Sequence, residues 1–213
     1  MDYTFFSQQV SKIKNLPLPG EAAHFKMAHK DRIEELELAN PQRKNAKKAG
    51  VLALFYPKNA NITHLLLILR KTYKGVHSNQ IAFPGGKLEL QDVDLKETAL
   101  RETQEEVGVP IKRVKVVKSL SKVYIPPSNF EVHPYLGLYN EPLPFVLQED
   151  EVESIVEVSL TDFMNDANLF EQTLSTSYAK NIIVPAFKLN GYTVWGATAM
   201  MLSEVKELLR QVL

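Results

Sequence analysis

The chain has 213 residues, 45% of them apolar and 23% charged, which suits one globular domain with an extended N-terminal arm. Its 25 basic and 25 acidic residues balance, so no global charge marks a nucleic-acid or membrane partner, and an anionic ligand must be met by local cations. Absence of cysteine excludes disulfides and thiol catalysis. The start, Met1-Asp2-Tyr3-Thr4-Phe5-Phe6, has an early acid and no long apolar run, unlike a signal peptide, and no stretch approaches the roughly 18–20 apolar residues that span a bilayer. The expectation is a cytoplasmic protein.

In chain order, residues 2–15 predict a helix with Asp2 as N-cap and Phe6, Val10 and Ile13 on one stripe, stopped by Leu16-Pro17-Leu18-Pro19-Gly20. A second helical stretch covers His29–Leu38, followed by Asn40-Pro41 and the basic connector Arg43-Lys44 and Lys47-Lys48. Residues 1–48 thus read as an arm on a main domain of 49–213. A lid, a homodimer contact and plain scaffold all fit the arm.

Strand patterns begin at Val51–Tyr56, stop at Pro57, and resume at Thr63–Leu69, with Asn59–Asn61 as the turn of a hairpin. Ile81–Phe83 reads as a short strand ending at Pro84-Gly85-Gly86. The acidic segment Glu89–Asp94 leads into a helix over Leu95–Val107, with Asp94 as N-cap and Gly108 as left-handed cap. Leu95, Ala99, Leu100, Thr103 and Val107 make its buried stripe, on a different arc from its glutamates. Further strands are expected at Val114–Leu120, Val132–Tyr139, Val152–Val158 and Ile182–Leu189, and short helices at Leu160–Asn165 and Ala197–Val212. Strands dominate and helices are few and separate, which predicts an α+β fold, a mixed sheet with helices on its faces.

The helix over 95–107 breaks local rules. Glu102, Glu105 and Glu106 stand at i, i+3 and i+4, where like charges repel by roughly 0.2–0.5 kcal/mol per pair. Glu105 and Glu106 also occupy the last turn, where the helix dipole disfavours anions. The near cation is Arg101. A divalent cation would turn this repulsion into coordination, since hard cations take oxygen ligands. Phe83-Pro84-Gly85-Gly86, fifteen residues earlier, permits close backbone approach and inward-facing carbonyls. Together they suggest an oxygen cage for Mg2+ or Mn2+.

Gly86 through Val109 resembles the Nudix box, with Arg101, Glu102, Thr103, Glu105, Glu106, Gly108 and Val109 filling its second half. One departure is visible: the acid usual eight residues before the arginine is Val93 here. The loop is one residue longer, with Asp92 nine before Arg101. The stretch Leu66–Gly86, with Arg70, His77, Gln80 and Ile81–Gly86, is similar to the upstream motif of Nudix coenzyme A diphosphatases. Glu89, Asp92, Thr98-Ala99-Leu100, Glu151-Val152 and Trp195-Gly196-Ala197-Thr198-Ala199 resemble further family features. Gly75 and Asn79 stand where that family has an arginine and a glycine.

The resemblance implies a Nudix-like α/β/α sandwich with a catalytic loop-helix-loop. It also implies metal-dependent hydrolysis of coenzyme A to 3′,5′-ADP and 4′-phosphopantetheine. Glu102, Glu105, Glu106 and Gly86 are the expected metal ligands, with Mg2+ or Mn2+ as cofactor. Arg101 is the expected counter-charge that orients a carboxylate. One of these glutamates, or Glu151 from an acid-dense downstream loop, is the expected general base. Arg70, His77, Gln80, Phe83 and Gly85 are the expected substrate contacts. Lys71, Lys74 and Lys87 are further phosphate candidates, Tyr124 and Phe130 are candidates for stacking, and Trp195 reads as packing. The alternatives are a hydrolase of ADP-ribose or another nucleotide sugar, and a metal-nucleotide-binding module without turnover. An RNA-processing role is disfavoured by the lack of a basic excess.

Overall fold

The computed structural model describes residues 1–29, 33, 34, 36, 45–71, 80–174 and 181–213. Its centre is an eight-stranded sheet containing β1 (Lys47–Lys58), β2 (Ile62–Arg70), β3 (Ile81–Ala82), β4 (Gly85–Lys87), β5 (Val114–Ser119), β6 (Val123–Ile125), β7 (Phe130–Tyr139) and β8 (Val152–Ser159). β3-β2-β1-β7-β5 gives the order, while β4 pairs β1, β6 pairs β7 and β8 pairs β2. β1 runs parallel to β7, and the other described pairings in the sheet are antiparallel. A smaller sheet holds β9 (Leu169–Leu174), β10 (Ile182–Leu189) and β11 (Tyr192–Trp195). The strands expected from the sequence do not include β4, β6, β9 and β11; β4, β6 and β11 have only three or four residues each.

The middles of the central strands β1 and β2 are apolar because both faces are covered. Along β1, Leu52, Leu54 and Tyr56 join a core with Ala99, Leu100 and Val107 of helix α3 (Leu95–Val107). Ala53 and Phe55 point the other way, into a core shared with α1 (Tyr3–Val10) and α5 (Gly196–Arg210). This is the expected α/β/α sandwich. Two short helices, α2 (Glu21–His24) and α4 (Leu160–Met164), complete it.

Asp2 caps α1 by accepting the Phe5 amide at 3.0 Å. Phe6 and Val10 are fully buried, each worth about 2 kcal/mol of apolar transfer. The predicted helix over 2–15 is shorter, since Ser11–Asn15 tightens into a 3-10 turn that still buries Ile13. Most of the predicted His29–Leu38 helix and the Arg43-Lys44 connector lie outside the described residues. Strand β1 begins at Lys47, two residues inside the segment read as arm. It also continues past Pro57, which faces Thr63. The Thr63 amide bonds the Met1 carbonyl instead of β1, so the 57/63 pair is a non-hydrogen-bonded one. On the other side β7 has already stopped pairing, at Phe55, so the N–H that proline lacks is not needed.

Candidate active site

Helix α3 carries the acids because its ends are locally fixed. Asp94 accepts the Glu97 amide at 2.8 Å at the start. Gly108, at φ 72, ends the helix in the left-handed region. The helix rests on β1, where Gly50 lets the Leu95 carbonyl approach; a Cβ there would lie 2.1 Å from that oxygen. Beside it runs β4, with Gly86 opposite Gly50 in register.

The glycine pair and two of the glutamates are in direct contact. A Cβ on Gly86 would sit 2.4 Å from the Glu102 carboxyl carbon. Gly85 donates its amide to Glu106 Oε2 at 2.8 Å. Arg70 Nη1 reaches Glu106 Oε1 at 3.4 Å. Glu106 is only 2% exposed, so the expected separation of all three glutamates from the buried stripe does not hold for it: it is buried along with Thr103 and Val107. Burial pushes its pKa up to about 8, against the Gly85 amide and Arg70. Glu102 is raised as well, by burial first, with Arg101 opposing. The charge on Glu151 pushes both groups the same way, so this exposed side chain lies within electrostatic reach of the pair.

Arg101 organises the remaining acids. Its Nε and Nη2 hold the Asp92 carboxylate at 2.8 and 3.0 Å. Nη2 also reaches Glu102 Oε1 at 3.1 Å and Nη1 reaches Glu105 Oε2 at 2.8 Å. Asp92, left open by the sequence because the loop is one residue longer than the family pattern, also accepts from the Glu89 amide and the Thr98 hydroxyl at 2.9 Å each. Arg101 holds its pKa down at about 2. Glu105 keeps its side chain 53% exposed. The crowding of acids is therefore partly offset inside the protein, by Arg101 and Arg70. That compensation does not fully offset the burial of Glu102 and Glu106, which raises the pKa of both.

Among the described residues no group of three or more His, Asp or Glu side chains is already gathered at metal-holding geometry. Glu105 is turned to Arg101 and Glu106 to the Gly85 amide. The donor chemistry nevertheless fits a hard divalent cation: all oxygen, anionic, set against a glycine pair, and desolvated enough that a cation would relieve the raised pKa values.

A cavity of about 350 Å³ opens against the same loop. Arg70, Gln80, Phe83 and Gly85 line it, as do Gly86 and Lys87. Among the described residues the Arg70 Nε is buried without an acceptor. His77 and Lys74 lie outside the described residues. The three glutamates do not line the cavity; Gly85 and Gly86 touch both it and the carboxylates. Lys71 is drawn to Glu153 at 3.6 Å, away from the lining. Tyr124 is buried and also absent from the wall, whereas Phe130 contributes to it. Trp195, expected to be packing, lines the cavity half-buried. Met27, Ala28 and His29 of the arm also reach it. The small residues after Trp195 were the one sequence signal for this side.

Residues 44–176 match the NUDIX domain family. A peroxisomal coenzyme A diphosphatase of Caenorhabditis elegans, ndx-8, is 29% identical over 172 residues, covering 80% of this chain and 72% of its own length. An uncharacterized Nudix hydrolase of Yersinia enterocolitica, NudL, is 32% identical over 143 residues, with 67% and 72% covered. The crystal structure of a Nudix hydrolase from M. smegmatis, RenU, superposes with a TM-score of 0.54 at 16% identity, over 79% of this chain and 88% of that one. That likeness concerns the fold alone. No helix among the described residues is long and apolar enough to cross a membrane.

Proposed function

Because the chain belongs to the NUDIX family, we propose that it hydrolyses the diphosphate linkage of coenzyme A or a derivative, releasing 3′,5′-ADP and 4′-phosphopantetheine. The observation that carries this reading is the double role of the glycine pair. Gly85 and Gly86 form cavity wall on one side and touch the Glu106 and Glu102 carboxylates on the other. A diphosphate reaching this wall meets Arg70 and Lys87, the local cations that a neutral chain needs. The named activity of the C. elegans relative supports the substrate class.

Glu102, Glu105, Glu106 and Gly86 would hold Mg2+ or Mn2+, which neutralises phosphate charge and lowers the pKa of bound water. The residues of the chain do the rest. Arg101 keeps Glu102 and Glu105 in place, and Asp92 keeps Arg101 in place. Glu151 takes the proton from the attacking water as its oxygen bonds phosphorus. The P–O bond to the bridging oxygen breaks, and that oxygen departs with the electron pair as part of the second phosphate. Gln80 and Phe83 orient the substrate from the cavity wall.

Pure protein incubated with coenzyme A and Mg2+ or Mn2+, followed by product separation, tests the reading. Release of 3′,5′-ADP well above any rate with ADP-ribose is expected, and a much higher ADP-ribose rate would overturn the substrate. Unchanged activity in both Glu105→Gln and Glu106→Gln would remove those two glutamates from the chemistry. A cytoplasmic location belongs to the same proposal, although the C. elegans relative is named as peroxisomal; a fluorescent fusion decides it.

A further inference from the structure

Two pieces of chain outside the family match reach the cavity. Met27 and Ala28 come from the arm, and Trp195, Ala197, Met200 and Met201 come from the end of β11 and the first turns of α5. A buried clamp fixes these pieces relative to one another. Glu204, on α5, has no exposed surface. It accepts the Gly20 amide at 3.2 Å and lies 3.2 Å from His24 Nε2, three residues before Met27. It also accepts the Ser121 amide at 3.0 Å and the Ser121 hydroxyl at 2.6 Å. A carboxylate so desolvated is tolerated only because each donor is in place, and losing one costs more than the contact itself is worth. The arm is thereby held against α5 at the point where both enter the cavity.

We infer that Met27, Ala28, Trp195, Ala197, Met200 and Met201 form a subsite for the uncharged arm of the substrate, the flexible pantetheine chain. This rests on the hydrolytic reading above for the identity of the chain. Thioether side chains are unbranched and polarizable, and adapt to a flexible partner. None of the six side chains carries the carboxylate or carboxamide that would read a base edge. The cations for a phosphate end are other residues of the same wall, Arg70 and Lys87. The cationic lining residues Arg70 and Lys87 thus lie inside residues 44–176, whereas these six uncharged ones come from segments on either side of it. The arm is a piece of the substrate site.

Trp195 is the single tryptophan of the chain, so its emission reports the subsite directly. The full chain is titrated with 4′-phosphopantetheine and, separately, with 3′,5′-ADP. Phosphopantetheine is expected to shift the emission saturably and 3′,5′-ADP to leave it unmoved. Ala28→Leu and Ala197→Leu, both at half-buried positions, narrow the subsite from the arm and from α5. Each should weaken phosphopantetheine binding and raise KM for coenzyme A about tenfold, which corresponds to about 1.4 kcal/mol. In both, kcat and the inhibition constant of 3′,5′-ADP should hardly change. A shift produced by 3′,5′-ADP instead, or unchanged phosphopantetheine affinity in both variants, overturns the subsite. A wild type that binds phosphopantetheine as stated but cleaves no coenzyme A overturns the hydrolytic reading and leaves the subsite standing.

Discussion

Glu106 Oε2 accepts the Gly85 amide at 2.8 Å, across 21 residues of sequence. The bond joins the acidic helix to the glycine loop, and buries a carboxylate whose pKa rises to about 8 from 4.5.

Below 4.5 Glu106 is protonated in both folded and unfolded chains. Between 4.5 and about 8 the unfolded chain releases a proton that the folded one keeps, so stability falls as pH rises. With a chelator present, Glu106→Gln should raise the melting temperature over wild type at pH 9 and leave it nearly equal at pH 4. The same variant, assayed with Mn2+, should lose about 100-fold in turnover. A chelated variant less stable than wild type at pH 9 would contradict the assigned burial.

Gly86→Ala tests the contact with Glu102. Its added Cβ would fall 2.4 Å from the carboxyl carbon, at a backbone angle outside the positive-φ region, so the carboxylate must move while the strand survives. Turnover should drop about 10- to 100-fold, with a urea midpoint close to wild type.

Asp92→Asn removes the anion that Arg101 grips through two nitrogens. The Asp92 pKa is depressed from 3.8 to about 2, so its contribution is fully present above 3.8 and is lost as pH falls through about 2. The shift corresponds to about 2 kcal/mol at neutral pH. Urea unfolding at pH 7 should show a loss of that size, shrinking toward zero at pH 2.

Glu204→Ala leaves His24, Ser121 and the Gly20 amide facing a void. The expected cost is about 3–5 kcal/mol, read by denaturant unfolding. The Glu204 pKa is depressed, with His24 and Ser121 outweighing its burial, so its stabilisation holds above the ordinary carboxylate range and fades as pH falls below it.

Glu151→Gln separates base from ligand. A drop in kcat with an unchanged KM for coenzyme A, and loss of the acidic limb of the pH–rate profile, is expected of a general base. An unchanged profile moves that role to a helix glutamate.

The sequence alone determined what short-range rules control. The helix over 95–107, its Asp94 and Gly108 caps, the 59–61 hairpin and the apolar strands all follow from periodicity and from capping chemistry within a few residues. The box from Gly86 to Val109 was legible for the same reason, its acids and glycines being close in the chain. Tertiary structure decided which of those acids is buried, because Glu106 is covered by Gly85 and Arg70, 21 and 36 residues away. It fixed Asp92 by folding a lengthened loop back onto Arg101, a pairing no spacing rule anticipates. It also brought Met27, Trp195 and Met200 to one cavity. Burial and long-range pairing depend on surfaces that meet only when the sandwich closes, and a linear pattern of residues does not encode which surfaces those are.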